Sequence, residues 1–274
     1  LQHALRVFDY ISGEFEIEHQ PESLGVQLNS LVINESHAQG NLFFSEDLVR
    51  LKLKLDELDI NPYENLLKML VTNRDSGEDA QGELVSSIQI NHLKMPQGHI
   101  EPFVSNVHLN NGQLLSVEGS LLARDLNPAA FYQQYSYLFP TGITAVIELD
   151  GKTLNYMQGG LSYVFSDNKI SLKDVALTID ETSIAGELSY DFSRPELTAQ
   201  LSVGILDADR YLGVLLPVHP GQQKGLEPEN ETVDFTGDSI EWLKQLQGQG
   251  VIQFAELKYQ DTRYKDIEVR FNSE

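Results

Sequence analysis

The sequence predicts a mainly β protein: an elongated, curled antiparallel sheet with the shape of a groove, built from duplicated units and carrying a few short helices. Three observations carry this expectation. Apolar and polar residues alternate with period two along much of the chain, the pattern of strands with one buried face. Turn signals such as Asn110-Asn111-Gly112, Asp150-Gly151 and Asp167-Asn168 separate neighbouring runs, as in hairpins. Two long stretches also resemble each other, with their alternation in phase.

The strand-like runs begin with Phe15/Ile17. The clearest follows, with Val49, Leu51, Leu53 and Leu55 alternating against Arg50, Lys52, Lys54 and Asp56. Next come Ile88/Ile90, Val107/Leu109, Ile143/Ala145/Ile147/Leu149, Leu161/Tyr163/Phe165 and Val175/Leu177/Ile179. Leu197/Ala199/Leu201/Val203/Ile205 and Ile267/Val269/Phe271 close the series.

Four segments interrupt the alternation with helix-start chemistry. Asn61 caps a helix near 61–71 with Pro62 at its first position and Glu64 at its third. Asn127, followed by Pro128, caps a second near 127–138. Asp209 opens a third near 209–216, and Asp238 a fourth near 238–246 that holds the only tryptophan, Trp242. Residues 72–82, with Gly and acids, and 218–237, with Gly, Pro and acids, read as exposed loops.

The internal repeat sets 31–67 beside 176–215, bringing Gly40 onto Gly186, Leu53 onto Leu201 and Tyr63 onto Tyr211. Further on, the run from Ile88 is echoed from Ile252, and the run from Phe103 from Ile267. This divides the chain into a first β-rich copy, 1–123, and a second, 124–274. A third, partial echo lies in Asp125-Leu126-Asn127-Pro128, which repeats Asp59-Ile60-Asn61-Pro62. Strand-rich repeats of this kind extend a sheet in which each unit contacts mainly its neighbours.

Charge narrows the function. The chain has 274 residues, 41 Asp+Glu against 19 Lys+Arg and a net charge of −22. Such a chain repels phosphate backbones and anionic headgroups, so nucleic-acid binding and electrostatic docking on a membrane are not expected. Its lack of cysteine removes disulfides, thiolate metal sites and thiol catalysis. No stretch approaches the ~18 consecutive apolar residues of a membrane-spanning helix. The opening at Leu1 and the ending at Asn272-Ser273-Glu274 suggest an excised segment, with any membrane anchor outside it.

Catalytic machinery is not legible. No GxSxG, HExxH, GxGxxG or Walker pattern occurs, and the seven histidines are scattered, with only His92, His99 and His108 close enough to meet across a hairpin. The pairs Asp59/Asn61, Asp125/Asn127 and Asp207/Asp209 lack the further oxygen ligands of a calcium loop and read as helix caps. No catalytic residue, metal or cofactor is therefore expected.

What remains is apolar surface. The strands present more apolar faces than four short helices can cover, so either a second sheet packs on top or the sheet forms a trough whose floor binds something. The candidate lining residues are Leu51, Leu53, Leu55, Ile88, Ile90, Val107, Leu109, Ile143, Ile147, Tyr163, Phe165, Leu177, Ile179, Leu201, Val203, Ile205, Ile267, Val269 and Phe271.

The run ISLKDVALTIDETSIAGELSYDFSRPELTAQLSVGILDADRYL, residues 170–212, resembles the AsmA family of Gram-negative envelope proteins. The resemblance lies in an L..D...I.GEL strand pair followed by a strand ending LDADRYL, and in the closing GVIQFAELKYQDTRYKDIEVRF. It implies a periplasmic domain held to the inner membrane by an N-terminal helix outside this segment. It also implies kinship with TamB and the bridge-like lipid transfer proteins, whose long sheets form apolar grooves. The expected function is a non-enzymatic lipid-handling module in outer-membrane biogenesis that holds phospholipid acyl chains along an apolar sheet face. The alternative is a structural or assembly factor that contacts outer-membrane proteins or other envelope components without carrying lipid.

Overall fold

Alternation in the sequence becomes register in the fold. The computed structural model describes residues 10–33, 35–61, 82–111, 113–135, 154–166, 168–194, 196–215, 247–259 and 262–272. Thirteen strands pair in strict chain order into one open sheet, so the protein is mainly β. They are β1 (Ile11–Gln20), β2 (Ser23–Ile33), β3 (Ser36–Ser45), β4 (Leu48–Asp59), β5 (Glu83–Met95), β6 (Gly98–Asn110) and β7 (Gln113–Leu126). The series continues with β8 (Met157–Ser166), β9 (Lys169–Ile179), β10 (Thr182–Asp191), β11 (Glu196–Asp207), β12 (Gln247–Tyr259) and β13 (Thr262–Asn272). Two short helices are described, α1 (Pro128–Tyr135) and α2 (Ala208–Leu215).

The expectation of an all-antiparallel sheet needs one correction. β4 pairs with β5, and β11 with β12, in parallel; the other neighbours are antiparallel. Hairpins return the chain at the same end of the sheet. The connections 60–82 and 208–246 instead join opposite ends, and a parallel neighbour requires a crossover of a dozen or more residues. Consequently β4, β7 and β11 all finish at one end of the sheet, which we call the helix-bearing end because α1 and α2 start there.

The two repeat copies share this register. Gly40 stands opposite Leu53 as Gly186 stands opposite Leu201, and Leu53 pairs with Ile88 as Leu201 pairs with Ile252. Ile90 faces Phe103 as Phe254 faces Ile267. Near the helix-bearing end Lys94 binds Glu57 at 2.5 Å and Lys258 binds Asp207 at 2.8 Å, each lysine reaching from β5 or β12 to the parallel strand beside it. β7 runs through residues 123 and 124, so the division placed there falls inside a strand and the sheet continues across it. The third echo shares the Asp-x-Asn-Pro sequence but not the topology, because β7 is followed by an antiparallel strand, β8.

The paired glycines explain themselves sterically. A Cβ on Gly40 would lie 2.1 Å from the Lys52 carbonyl oxygen, and one on Gly186 2.0 Å from that of Gln200. Gly186 also adopts a φ of +132°, a region open to glycine and little else.

Capping follows the predicted chemistry with one shift. Asn127 Oδ1 accepts the Ala130 N–H at 2.8 Å and Pro128 is the first residue of α1. α2, however, begins at Ala208, so Asp209 lies inside the helix and Asp207 is the cap, accepting the N–H groups of Asp209 and Arg210. The sequence Asp207-Ala208-Asp209 offers two caps two residues apart, and the end of the strand selects the first. Asp59, the counterpart of Asp207, likewise accepts the Asn61 N–H at 3.0 Å. The helices expected after Asn61 and at Asp238, and most of the two expected loops, fall outside the described residues.

The packed core gathers at the helix-bearing end. Ala38, Leu55, Ile90, Leu93, Met95, Ile100, Ala123 and Leu126 form one buried cluster, and Phe131 of α1 packs against it. Among the described residues no helix is long and apolar enough to cross a membrane.

Asp180, in the β9–β10 turn, ties this end together. Its side chain is 3% exposed. Its oxygens accept the N–H groups of Leu154, Asn155 and Tyr156 and the Tyr211 hydroxyl at 2.8 Å, with Arg210 at 3.5 Å. Burial raises its pKa, but the donors of Tyr211, Leu154 and Asn155 and the charge of Arg210 outweigh this and hold it below the usual carboxylate value. Burial and the neighbouring carboxylate push Tyr211 up to about 12. One carboxylate thus anchors α2 and the approach to β8.

Asp180→Asn is expected to cost about 2–4 kcal/mol at neutral pH by leaving buried donors unmatched, read by urea unfolding. The sign of the pH effect follows from the depressed pKa. Asp180 contributes fully above the unfolded carboxyl value of about 3.9 and loses its contribution as pH falls through its lower folded value, so the variant's deficit shrinks in that acid range. Gly186→Val is expected to cost about 2 kcal/mol or more by the same assay, because its Cβ meets backbone.

Candidate functional site

Directly opposed residues on neighbouring strands point to the same face. Following the register from Phe15 on β1 gives Leu28, Gly40, Leu53, Ile88, Ser105, Gly119, Tyr163, Leu172, Leu188, Ala199, Gly250 and finally Phe271 on β13. This transverse row crosses the whole sheet without one charged side chain. A second row lies beside it, further from the helix-bearing end: Ile17, Val26, Leu42, Leu51, Ser86, Val107, Val117, Phe165, Ile170, Tyr190 and Leu197. The opposite face carries the charges, among them Glu16, Lys52, Lys54, Glu118, Lys173, Glu187 and Arg270.

Aromatic rings lie across the glycines of this face. A Cβ on Gly119 would lie 1.9 Å from the Val104 carbonyl oxygen and 2.8 Å from the Tyr163 hydroxyl oxygen, and one on Gly250 2.3 Å from the Ala199 carbonyl oxygen and 2.7 Å from the Phe271 ring. The Tyr163 hydroxyl donates to the Val104 carbonyl at 3.2 Å, and burial raises its pKa. The glycines therefore keep the sheet thin where rings fill the surface.

The sequence-derived lining residues divide by depth. Leu51, Leu53, Ile88, Val107, Tyr163, Phe165, Leu201, Val269 and Phe271 stand half-buried on the apolar face, and Leu109, Leu177, Ile179 and Ile267 share that state. Leu55, Ile90 and Val203 are at most 9% exposed and belong to the packed interior. Ile205 is 57% exposed. Ile143 and Ile147 lie outside the described residues. Sequence reasoning left out Leu28, Leu42, Leu172 and Leu188, which the same alternation carries, and Gly119 and Ser105, which only register places in the row.

Exposure rises toward β1, where Phe15 is 60% and Ile17 61% exposed, while Phe44 on β3 is 36%. Among the described residues the apolar face is thus packed around the buried cluster at the helix-bearing end and exposed along β1. A depression of about 760 Å³ crosses β9 to β13, lined by Ser171, Ser189, Thr198, Gln249 and Asn272 in one row, Leu172, Leu188, Ala199, Gly250 and Phe271 in the next, and Lys173, Glu187, Gln200, Val251 and Arg270 in the third.

His92 and His108 do not converge. His92 Nδ1 lies 3.2 Å from Glu101 and His108 Nε2 lies 2.7 Å from Glu83, toward opposite ends of the β5–β6 pair. The His92 contact, with Arg124 nearby, holds Glu101 below its usual pKa. Among the described residues no group of three or more His, Asp or Glu is placed to hold a metal ion.

No protein-family model matches the chain, and no curated protein matches it. Among solved structures, the crystal structure of a sex pheromone staph-cAM373 precursor aligns over 98% of this chain and 88% of its own at 10% identity. Its TM-score is 0.14, so it carries no argument.

The division between core and open face predicts a mutational contrast. Leu55→Ala and Ile90→Ala are expected to lower stability by about 2–4 kcal/mol in urea melts. Leu51→Ala, on the open row, is expected to cost less than half as much. Equal losses would mean that the whole face is sealed.

Proposed function

We propose that this protein is a non-enzymatic lipid-handling module that holds phospholipid acyl chains against the apolar face of its sheet, with headgroups in solvent. The observation that carries the reading is the uncharged transverse row from Phe15 to Phe271, open at the β1 side. Each methylene removed from water contributes about 0.8 kcal/mol, so a few strands of such a face suffice to hold a chain. The resemblance of residues 170–212 to the AsmA family supports the same reading. With it comes the setting we propose: the periplasm of a Gram-negative bacterium, attachment to the inner membrane outside this segment, and a role in outer-membrane biogenesis.

The second reading, an assembly factor that carries no lipid, is favoured by a separate observation. Among the described residues β1 and β13 each pair with another strand on one side only, and such edges accept added strands.

Mass spectrometry of gently purified protein separates the two, because lipid handling requires stoichiometric phospholipid and a scaffold carries none. Charges placed on the face sharpen the test. Ile17→Asp and Leu201→Asp are expected to weaken fluorescent-phospholipid binding at least tenfold, since a carboxylate in a dry site costs several kcal/mol. Ser202→Asp, beside Leu201 on the polar face, is expected to bind as the parent does. Ile17 is exposed, so its variant stays folded; if Ile17→Asp and a folded Leu201→Asp both bind normally, acyl chains do not lie on this face.

A further inference from the structure

We infer a second ligand site on the face opposite the apolar rows, a trough over β8 to β13 that takes a single-chain anionic amphiphile such as a long-chain fatty acid. The chain lies along the strands and the anionic head among Lys169, Lys173 and Arg270. The depression of about 760 Å³ over β9 to β13 has a neighbour of about 660 Å³ toward the helix-bearing end, lined by β8 to β12. The two adjoin, since only Leu201 separates their linings along β11 and only Gly186 along β10. Together they run from Thr198 to Gly204 on β11, about 20 Å at roughly 3.3 Å per residue.

Register assigns the face. Rows one residue apart point to opposite faces, so the two rows that flank Leu172, Leu188 and Ala199 belong to the charged face. A hollow on the apolar face would also touch the next rows of that face. Neither Ile170, Tyr190 and Leu197 on one side nor Leu201, Ile252 and Val269 on the other line the larger depression. In the smaller one Thr178 and Ser183, and Ala176 and Ala185, flank the row of Leu177, Ile184 and Val203 in the same way.

Charge divides the trough. In a chain of net charge −22 the larger depression gathers Lys169, Lys173 and Arg270 against one lining carboxylate, Glu187. Arg270 is held by Glu268, whereas among the described residues no carboxylate pairs with Lys169 or Lys173. The smaller depression has no charged residue in its lining, and Ala176, Ala185, Gly204 and Ala255 leave it open. This space distinguishes the second copy of the repeat: the first carries Gln39, Asp56 and Asn91 where the second carries Ala185, Gly204 and Ala255. Strands β9 to β12 each pair on both sides, so their backbone groups are engaged in the ladder and an extended peptide would gain few hydrogen bonds. An acyl chain needs none. Its methylenes gain by leaving water, while the cations at the far end take the anionic head.

The test is a fluorescence titration with cis-parinaric acid, a long-chain fatty acid that emits when held in an apolar site. It is run on Ile17→Asp, in which the opposite face is impaired by a charge. One saturable site per chain is expected, displaced by palmitate, with methyl palmitate, which lacks the charge, at least tenfold weaker. In the same background Ala255→Trp fills the trough from an exposed position and is expected to weaken palmitate binding at least tenfold with an unchanged urea midpoint. Ala185→Trp, likewise exposed, repeats the test from β10. Lys169→Glu combined with Lys173→Glu is expected to weaken palmitate at least tenfold and to leave methyl palmitate as it was. The inference is overturned by absence of saturable binding, by normal binding to a folded Ala255→Trp or Ala185→Trp chain, or by equal affinity for palmitate and its ester. Loss of both lysines without effect would equally remove the head from this end. Fluorescent-phospholipid binding to the parent chain, compared with Ile17→Asp, reads the apolar face separately, so the two sites stand or fall apart.

Discussion

Everything distinctive about this molecule depends on cross-strand register. A strand's side chains alternate faces, so a slip of one residue in any pairing would send that strand's apolar set to the polar side and break every transverse row. Among the described residues thirteen strands in chain order, interrupted by a few bulges, keep Phe15 and Phe271 on one continuous row. The glycines at 40 and 186 belong to this constraint, since each places its backbone where a side chain would strike the neighbouring carbonyl.

Register alone does not close a core, because a single sheet has two faces and among the described residues only α1 and α2 stand outside the strands as helices. The packing that exists is concentrated at one end, where α1 and α2 start and where Asp180 gathers donors from the approach to β8 and from α2. The cost of burying that carboxylate is offset by several hydrogen bonds and the Arg210 charge, which makes it a fixed point rather than a titrating one. Away from that end the apolar face is only half covered. A molecule built this way is stable at one margin and available at the other, and the proposed lipid surface lies where packing stops.

Repetition explains the economy of the design. One plan, in which an antiparallel strand group is followed by a crossover and a further pair, is used twice in the same register. The lysines that bridge the parallel joints, Lys94 and Lys258, recur with it. A plan that extends a sheet has no intrinsic end.

By itself the sequence marked β1, β4, β5, β6, β8, β9, β11 and β13, the repeat and its alignment, and the polar or apolar sense of those strands' faces, because these rest on alternation and on matches visible within a few residues. It also located the cap of α1, since Asn127-Pro128 is local chemistry. Parallel pairing at β4–β5 and β11–β12 was decided only by the tertiary structure, because the direction of a neighbouring strand depends on where a long connection returns. The choice of Asp207 over Asp209 was decided by where β11 ends. Nothing local marks Asp180, whose donors come from residues 154–156 and 211. The sorting of Leu55, Ile90 and Val203 into the interior, and of Leu51 and Leu53 onto the open face, likewise belongs to the fold: identical side chains on one strand differ only in how near they stand to the end where the helices start.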